Sequence, residues 1–338
     1  MEARQVERAL KASLDDPGDP PRALALGASG SRLVIRRKSG RLVVWDLDPL
    51  RKVRDIRQPG YDPDSVVRPL AISPDGTLAA SSTSDHVHVT DLRTGTQTHS
   101  FMIPPDPSSR GLDWGAESLK FLDGRRLLIY RDGHKVYDLS TRRVISLEVD
   151  HGIVDDVVLG GDGVTFLGVG AEPRTFVATW TDGSARPAVV NYDFTRGRDG
   201  TSQDSPASQI MPGGRTARLI ANSSEVIIWD VASGREVATL RSRYGVGTLL
   251  DLPSGLIVNL GYTYTRTSSP SALEIFSADG RTLGHQIIDS RMVTDSIHAD
   301  RGSRGALVYT SRGLLIMLTR PFRSTVHDNF GIRVLELR

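Results

Sequence analysis

One pattern recurs along this chain: an apolar run closing on an aromatic residue or threonine, then aspartate, then another apolar residue. The clearest copies are Arg41-Leu42-Val43-Val44-Trp45-Asp46-Leu47, His86-Val87-His88-Val89-Thr90-Asp91-Leu92, Lys135-Val136-Tyr137-Asp138-Leu139 and Glu225-Val226-Ile227-Ile228-Trp229-Asp230-Val231. Asp46, Asp91 and Asp138 follow one another at steps of 45 and 47 residues. Each copy leads into a short polar turn and a further apolar run. Self-similarity at such a step limits the chain to an array of small repeated units that bury their surfaces against one another.

Apolar runs separated by Gly-rich turns predict antiparallel strands, and no segment beyond residue 15 keeps a helical period. The second unit parses most clearly. Strand a covers 66–72 and leads into the turn Ser73-Pro74-Asp75-Gly76; strand b covers 77–82. Strand c covers 86–92 and leads into the turn Arg93-Thr94-Gly95-Thr96; strand d covers 97–103. Proline second and glycine fourth suit a type I turn. The same register places units at about 22–57, 66–103, 117–149, 154–193, 208–241, 247–288 and 305–338. Four-stranded units at a period of roughly 40–45 residues build a propeller. The expected fold is therefore all-β: a single domain over 1–338, a seven-bladed β-propeller of four-stranded antiparallel blades.

The last unit runs out of chain after strand c, at 332–337. Residues 4–10, Arg-Gln-Val-Glu-Arg-Ala-Leu, read like the d strands at 235–240 and 142–147. Paired with the C-terminal blade, this N-terminal strand would close the ring and remove an open edge. Val6, Leu10 and Leu14 also stand at i, i+4 and i+8, which suits an amphipathic helix. The strand reading is preferred because the ring needs a fourth strand. Residues 15–21, Asp-Asp-Pro-Gly-Asp-Pro-Pro, would then be a stiff connector.

Forty-two basic residues against 40 acidic ones leave a net charge of +2, which gives no drive toward nucleic acid or anionic membrane. Only Lys11, Lys38, Lys52, Lys120 and Lys135 are lysines; the arginine bias is what a GC-rich, bacterial genome would give. The absence of cysteine excludes disulfides, thiolate metal sites and a cysteine nucleophile. Residues 1–8 lack the apolar core of a secretory signal. No stretch approaches the ~20 apolar residues of a membrane span. The expected compartment is the cytoplasm.

The repeats resemble the WD40 family over nearly the whole chain, through the Trp-Asp pairs, their spacing and the recurring turns. Many such repeats carry Gly-His before strand a, its histidine joining a buried network with the turn aspartate and the strand-c tryptophan. Here Gly133-His134 falls in a b–c turn and Gly284-His285 in a d strand. The resemblance therefore implies a divergent member held mainly by apolar packing between blades. It also implies a role as a non-enzymatic platform for assembling other proteins.

Loop lengths say where a partner would sit. The a–b and c–d turns are tight, so that side is blunt. The b–c and d–a connections are long and hold most of the aromatics, which make up only 6% of the chain. Candidate partner-binding residues are Tyr61, Trp114, Tyr192, Tyr244, Tyr262, Tyr264, Phe322 and Phe330. Aromatic and arginine side chains dominate interface hot spots, and long loops on rigid scaffolds carry function. The same aromatics could instead fold back into the core.

Other chemistry is weaker. His86 and His88 share a strand face, but a third metal ligand is not evident. Asp155, Asp156 and Glu117 begin inner strands, with His151 nearby. Propeller hydrolases and lactonases hold a divalent metal with carboxylates in that region, so a metal-dependent hydrolase is the enzymatic alternative. A regulatory sensor binding a small ligand in the channel is another. Arg36-Arg37-Lys38 reads as a solvated blade edge rather than a nucleic-acid patch. The preferred reading has no cofactor, no metal, no catalytic residue, no nucleic acid and no membrane. It is a scaffold, monomeric on its own, that displays one long-loop face to a protein partner.

Overall fold

In the computed structural model, successive strands pair into antiparallel sheets, as the turns dictate. The structure describes residues 3–14, 16, 18–27, 29–58, 69–83, 86–103, 116, 118–130, 134–147, 152–160, 163–170, 175–181, 188–192, 208–210, 216–222, 224–231, 233, 235–246, 248–252, 254–262, 271–288, 292–293, 307–311, 313–321 and 331–336. The chain divides into two compact units, Met1–Ser146 with Arg291–Arg338, and Leu147–Ser290.

In the first unit, a helix α1 (Ala3–Leu14) precedes three sheets. The first joins β1 (Pro21–Leu26), β2 (Arg32–Arg37), β3 (Leu42–Leu47) and β4 (Leu50–Ile56). The second joins β5 (Leu70–Ile72), β6 (Leu78–Ser82), β7 (His86–Asp91) and β8 (Gln97–Met102). The third joins β9 (Ser118–Phe121), β10 (Arg126–Tyr130), β11 (His134–Asp138) and β12 (Arg143–Leu147). The second unit repeats the plan three times. Its first sheet joins β13 (Gly152–Gly160), β14 (Gly163–Gly170), β15 (Thr175–Thr181) and β16 (Ala188–Tyr192). Its second joins β17 (Ser208–Ile210), β18 (Thr216–Asn222), β19 (Glu225–Asp230) and β20 (Glu236–Arg241). Its third joins β21 (Thr248–Asp251), β22 (Ile257–Tyr262), β23 (Ser271–Phe276) and β24 (Thr282–Ile288). The last sheet returns to the first unit: β27 (Leu314–Pro321) pairs with β26 (Leu307–Tyr309), with β28 (Gly331–Glu336) and, at its far end, with the short β25 (Met292–Val293).

Burial explains why the middle strands read as unbroken apolar runs. A strand covered by neighbours on both faces has no polar side to present. Leu33, Ile35, Val43 and Trp45 turn one face of the first sheet toward Val308, Ile316, Ile332 and Val334 of the last. Val34, Leu42 and Val44 turn the other face toward Leu70, Ala79 and Leu92 of the second. Val87 and Val89 pass the pattern on to Leu127, Ile129 and Tyr137. In the second unit, Val226, Ile228 and Leu240 meet Leu249, Ile257 and Phe276. The outer strands alternate instead: β8 has no buried residue, and β4 buries only Ile56.

The N-terminal segment corrects the sequence reading. Residues 4–10 are not a strand in the last sheet; they lie within α1, which packs against β28. Val6 is 1% exposed and Leu10 fully buried, in the same core as Trp45, Ile332 and Val334. Glu7 Oε2 accepts a hydrogen bond from the Val334 amide at 3.0 Å, so a side-chain oxygen stands where a fourth strand's carbonyl would. Glu7 also pairs with Lys11 at 2.6 Å and lies 3.8 Å from Arg333. Burial opposes its ionisation, but Lys11, the Val334 amide and Arg333 outweigh that, and the carboxyl titrates below its ordinary range.

The Arg36-Arg37-Lys38 reading is corrected too. Arg36 and Arg37 are 3% and 8% exposed. Arg36 Nη1 donates to Pro69 O at 3.2 Å. Arg37 Nε donates to Asp19 O at 2.8 Å and lies 3.1 Å from Asp19 Oδ2. Asp19 also accepts the Ser39 amide at 2.6 Å. This basic run clamps the connector after α1 to the β2–β3 turn.

Candidate protein-interaction surface

The two ends of the sheets are built differently. At the a–b and c–d end, the recurring aspartate is a turn lock. Asp91 accepts the Arg93 and Thr94 amides, both at 2.8 Å. Asp138 accepts the Ser140 and Thr141 amides at 2.9 and 3.1 Å, and Asp230 the Ser233 amide at 2.7 Å. A short carboxylate mimics the backbone here and tightens the reversal from strand c to strand d. These bonds stabilise the ionised form. The Arg125 guanidinium and the Ser140 and Thr141 groups hold Asp138 well below the usual carboxylate range, against burial. The Thr94 amide does the same at Asp91.

The same end is strapped between neighbouring sheets. Ser311 N–H reaches Gly30 O at 3.2 Å, Arg32 Nη1 reaches Gly76 O at 3.2 Å, and Arg54 Nη1 reaches Thr94 O at 3.1 Å. Gly30 has a φ of +69°, and a Cβ there would stand 2.4 Å from Ser311 N. Short turns and mutual bonds make this end structural.

The opposite end holds the b–c and d–a connections. One d–a connection, between β20 and β21, is described over residues 242–246. It folds around a buried carboxylate. Glu274, 1% exposed on β23, accepts the Arg243 amide on Oε1 at 2.9 Å. Its Oε2 accepts Asn259 Nδ2 at 3.0 Å and the Ser242 hydroxyl. Asn259, also 1% exposed, sits opposite Glu274 on β22 and donates to Gly245 O at 2.8 Å. The Tyr244 amide donates to Ser242 Oγ at 3.2 Å. With its backbone fixed from below, the connection turns Arg243 out to solvent and leaves Tyr244 half-buried. The Tyr244 ring lies 5.5 Å from that of the exposed His285, and the Arg243 guanidinium lies 5.7 Å from the Tyr244 ring centre. Arginine, tyrosine and histidine thus form one half-exposed cluster on a rigid base.

A second connection starts the same way. Gln58, buried just beyond β4, donates from Nε2 to Ser81 Oγ on β6. Ser81 pairs in register with His88, whose Nδ1 contacts Ser100 Oγ at 3.2 Å. In both places a residue within two positions of an outer strand's end is pinned to a polar residue on the next sheet's second strand. Sequence reasoning missed these pins and expected mainly apolar packing. The signal was present: Asn259 and Glu274 interrupt the apolar runs 257–260 and 272–276, and they do so opposite one another. Trp45, by contrast, buries Nε1 without a hydrogen-bond partner among the described residues, so it acts there as a large apolar filler.

Of the predicted partner residues, the structure brings Tyr244 into this cluster. Tyr192 ends β16 and Tyr262 ends β22. Tyr61, Trp114, Tyr264, Phe322 and Phe330 lie outside the described residues, as do Glu117 and His151. Asp155 and Asp156 fall within β13. His86 and His88 stack with ring centres 6.1 Å apart, and His88 is a buried core histidine. Among the described residues, no three His, Asp or Glu side chains group to hold a metal, and no helix is long and apolar enough to cross a membrane.

No family model matches the chain, and no curated protein matches it. Solved structures do. One described as U3-55K aligns at a TM-score of 0.61 and 14% identity, over 94% of this chain and 95% of its own. The RRP9 WD40 repeats align at 0.62 and 13%, over 94% of each chain. The Cps50 (Swd1) β-propeller domain of Myceliophteria thermophila aligns at 0.59 and 11%, over 94% and 96%. This chain has the fold of a WD40 β-propeller. At these identities the likeness is one of architecture. Turns of this chain are locked by Asp91, Asp138 and Asp230, and its described 242–246 connection by the Ser242–Asn259–Glu274 pin.

Proposed function

We propose that the seven sheets close into one seven-bladed ring, and that the chain is a non-enzymatic protein-interaction scaffold whose partner seats on the b–c and d–a end. The proposal includes a cytoplasmic setting away from membranes and nucleic acid. The packing of the first sheet against the last supports closure. The reading is carried by the Glu274 node, which fixes Arg243 and Tyr244 beside His285 at the end of the sheets where the long connections gather. A buried, fully bonded carboxylate is an expensive way to hold a loop, and it makes sense where the loop must present a fixed surface. The other end is consumed by turn locks and straps.

Affinity capture from native lysate tests this, comparing wild type with Arg243→Ala/Tyr244→Ala. A stoichiometric protein held by wild type and lost by the variant is the expected result. Loss of two hot-spot side chains should weaken binding by roughly 30-fold or more, about 2 kcal/mol. The variant should melt within a few degrees of wild type, since neither side chain is buried. Capture that survives this variant but fails in Arg51→Ala/Arg54→Ala would put the partner on the wrong side. Capture of nothing by wild type would sink the scaffold reading.

A further inference from the structure

In the other six sheets, the third strand is covered by a fourth. In the last sheet, β28 occupies the third position, and among the described residues it pairs with no strand but β27. Its composition is that of an inner strand: Ile332 and Val334 are buried as Ile228 and Val226 of β19 are. The outward edge of such a strand is a row of backbone donors and acceptors that suits another strand. Helix α1 covers it by other means. Two side chains, Val6 and Leu10, enter the core, and Glu7 supplies one acceptor, to Val334.

The cover rests on those side-chain anchors and on the Glu7–Lys11 pair rather than on backbone pairing with β28. A 12-residue helix is marginal by itself. Its first turn carries no acid and does carry Arg4, which opposes the helix dipole. Val6 and Leu10 are four apart, a spacing that shares a face in a helix and also in a strand. What α1 puts into the sheet edge is therefore what an extended segment could put there: apolar groups on one face and an acceptor toward Val334. The charges agree. Without Glu7, the edge keeps the half-exposed Arg333, 3.8 Å from the carboxylate in the present arrangement.

We propose that the outer edge of β28 is a strand-addition site for an extended segment of a partner protein, and that α1 is the built-in competitor that leaves when the segment binds. The segment has apolar residues at alternate positions, to fill the places of Val6 and Leu10, and an acidic residue to meet Arg333. Backbone pairing gives the affinity and the alternate side chains give the selectivity. This site is separate from the loop surface proposed above.

The probe is a fluorescein-labelled peptide with the sequence of this chain's own outer strand, residues 235–241, Arg-Glu-Val-Ala-Thr-Leu-Arg. Fluorescence anisotropy compares the full wild-type chain with Val6→Ala/Leu10→Ala. A site occupied by its competitor most of the time binds with an apparent Kd raised by that occupancy. The variant should bind at least tenfold tighter, and a peptide with proline in place of its central alanine should bind neither protein. Equal binding to a folded variant and wild type overturns the proposal, as does undiminished binding of the proline peptide. Light scattering that shows the variant pairing with itself in place of the peptide also overturns it, in favour of a second copy as occupant. If the variant does not fold, amide exchange on wild type decides. Excess peptide should speed exchange in residues 3–14 and leave Val334 protected; unchanged exchange in residues 3–14 overturns the proposal.

Discussion

The outer edge of the second sheet and the outer edge of the last are covered in opposite ways. Strand β8 holds its place through backbone bonds to β7, with lighter side-chain contacts such as Ser100 to His88 and Phe101 to Tyr137: Met102 is 62% exposed and no residue of β8 is buried. Helix α1 spends its backbone bonds on itself, as every helix does. It can hold its place only through side chains, and Val6 and Leu10 are buried accordingly. The residues of β8 are therefore more replaceable than the two anchors of α1. The fourth position of a blade thus requires a cover and two anchors rather than a particular secondary structure.

The largest expected effect lies in those anchors. Leu10→Ala should lose about 2–5 kcal/mol by urea denaturation, because it empties a fully buried site. Met102→Ala should stay within about 0.5 kcal/mol. Equal losses at the two positions would break the comparison. Next comes the one place where a connection is built with no room to spare. A Cβ on Gly261 would stand 2.2 Å from Gly245 O, so Gly261→Ala must push the 242–246 connection off the Glu274 node. It should cost roughly 1–3 kcal/mol and weaken capture of the partner as strongly as the loss of Arg243 and Tyr244. Full binding by this variant would mean the node does not set the surface.

Smaller still is Glu7→Gln, about 1 kcal/mol for a charged hydrogen bond that water partly screens. Its pH dependence sharpens the point. The folded carboxyl titrates below its ordinary range, as those of Asp91 and Asp138 do. A group depressed in the folded state contributes stability above its unfolded value, near 4, and loses it as pH falls through the folded value. Melting temperature should therefore fall below about pH 4. Glu7→Gln should remove part of that slope, whereas a variant of an exposed β8 residue should leave it intact. An unchanged acid limb in Glu7→Gln would show that Glu7 is not ionised against β28.

The sheets were legible because strands covered on both faces leave a crude mark. Runs such as 42–45 and 226–229 need no partner to be recognised, and the aspartate after the second, Asp230, is called for by the turn that it locks. Residues 4–10 were ambiguous because their two anchors stand four apart, which both periodicities accept; only the burial of Val6 and Leu10 with Glu7 at Val334 decides it. Arg36 and Arg37 misled because a basic run looks solvated until Asp19 and Pro69 are brought to it by distant segments. The Glu274 node was missed for a related reason. Its members come from three segments, and the paired interruptions at 259 and 274 become meaningful only once the register sets them opposite. Tyr244 was singled out as a candidate from its loop and its type alone, while its grouping with Arg243 and His285 needed the fold.

The most direct test of the helix as blade cover is amide exchange at Val334, compared in wild type, Glu7→Gln and Leu10→Ala. The Val334 amide donates to Glu7, so its protection should be high in wild type and fall tenfold or more in both variants, while amides of β3 stay protected. Exchange at Val334 that is the same in all three proteins would mean that α1 does not cover the edge, and the comparison between the two edges would fail.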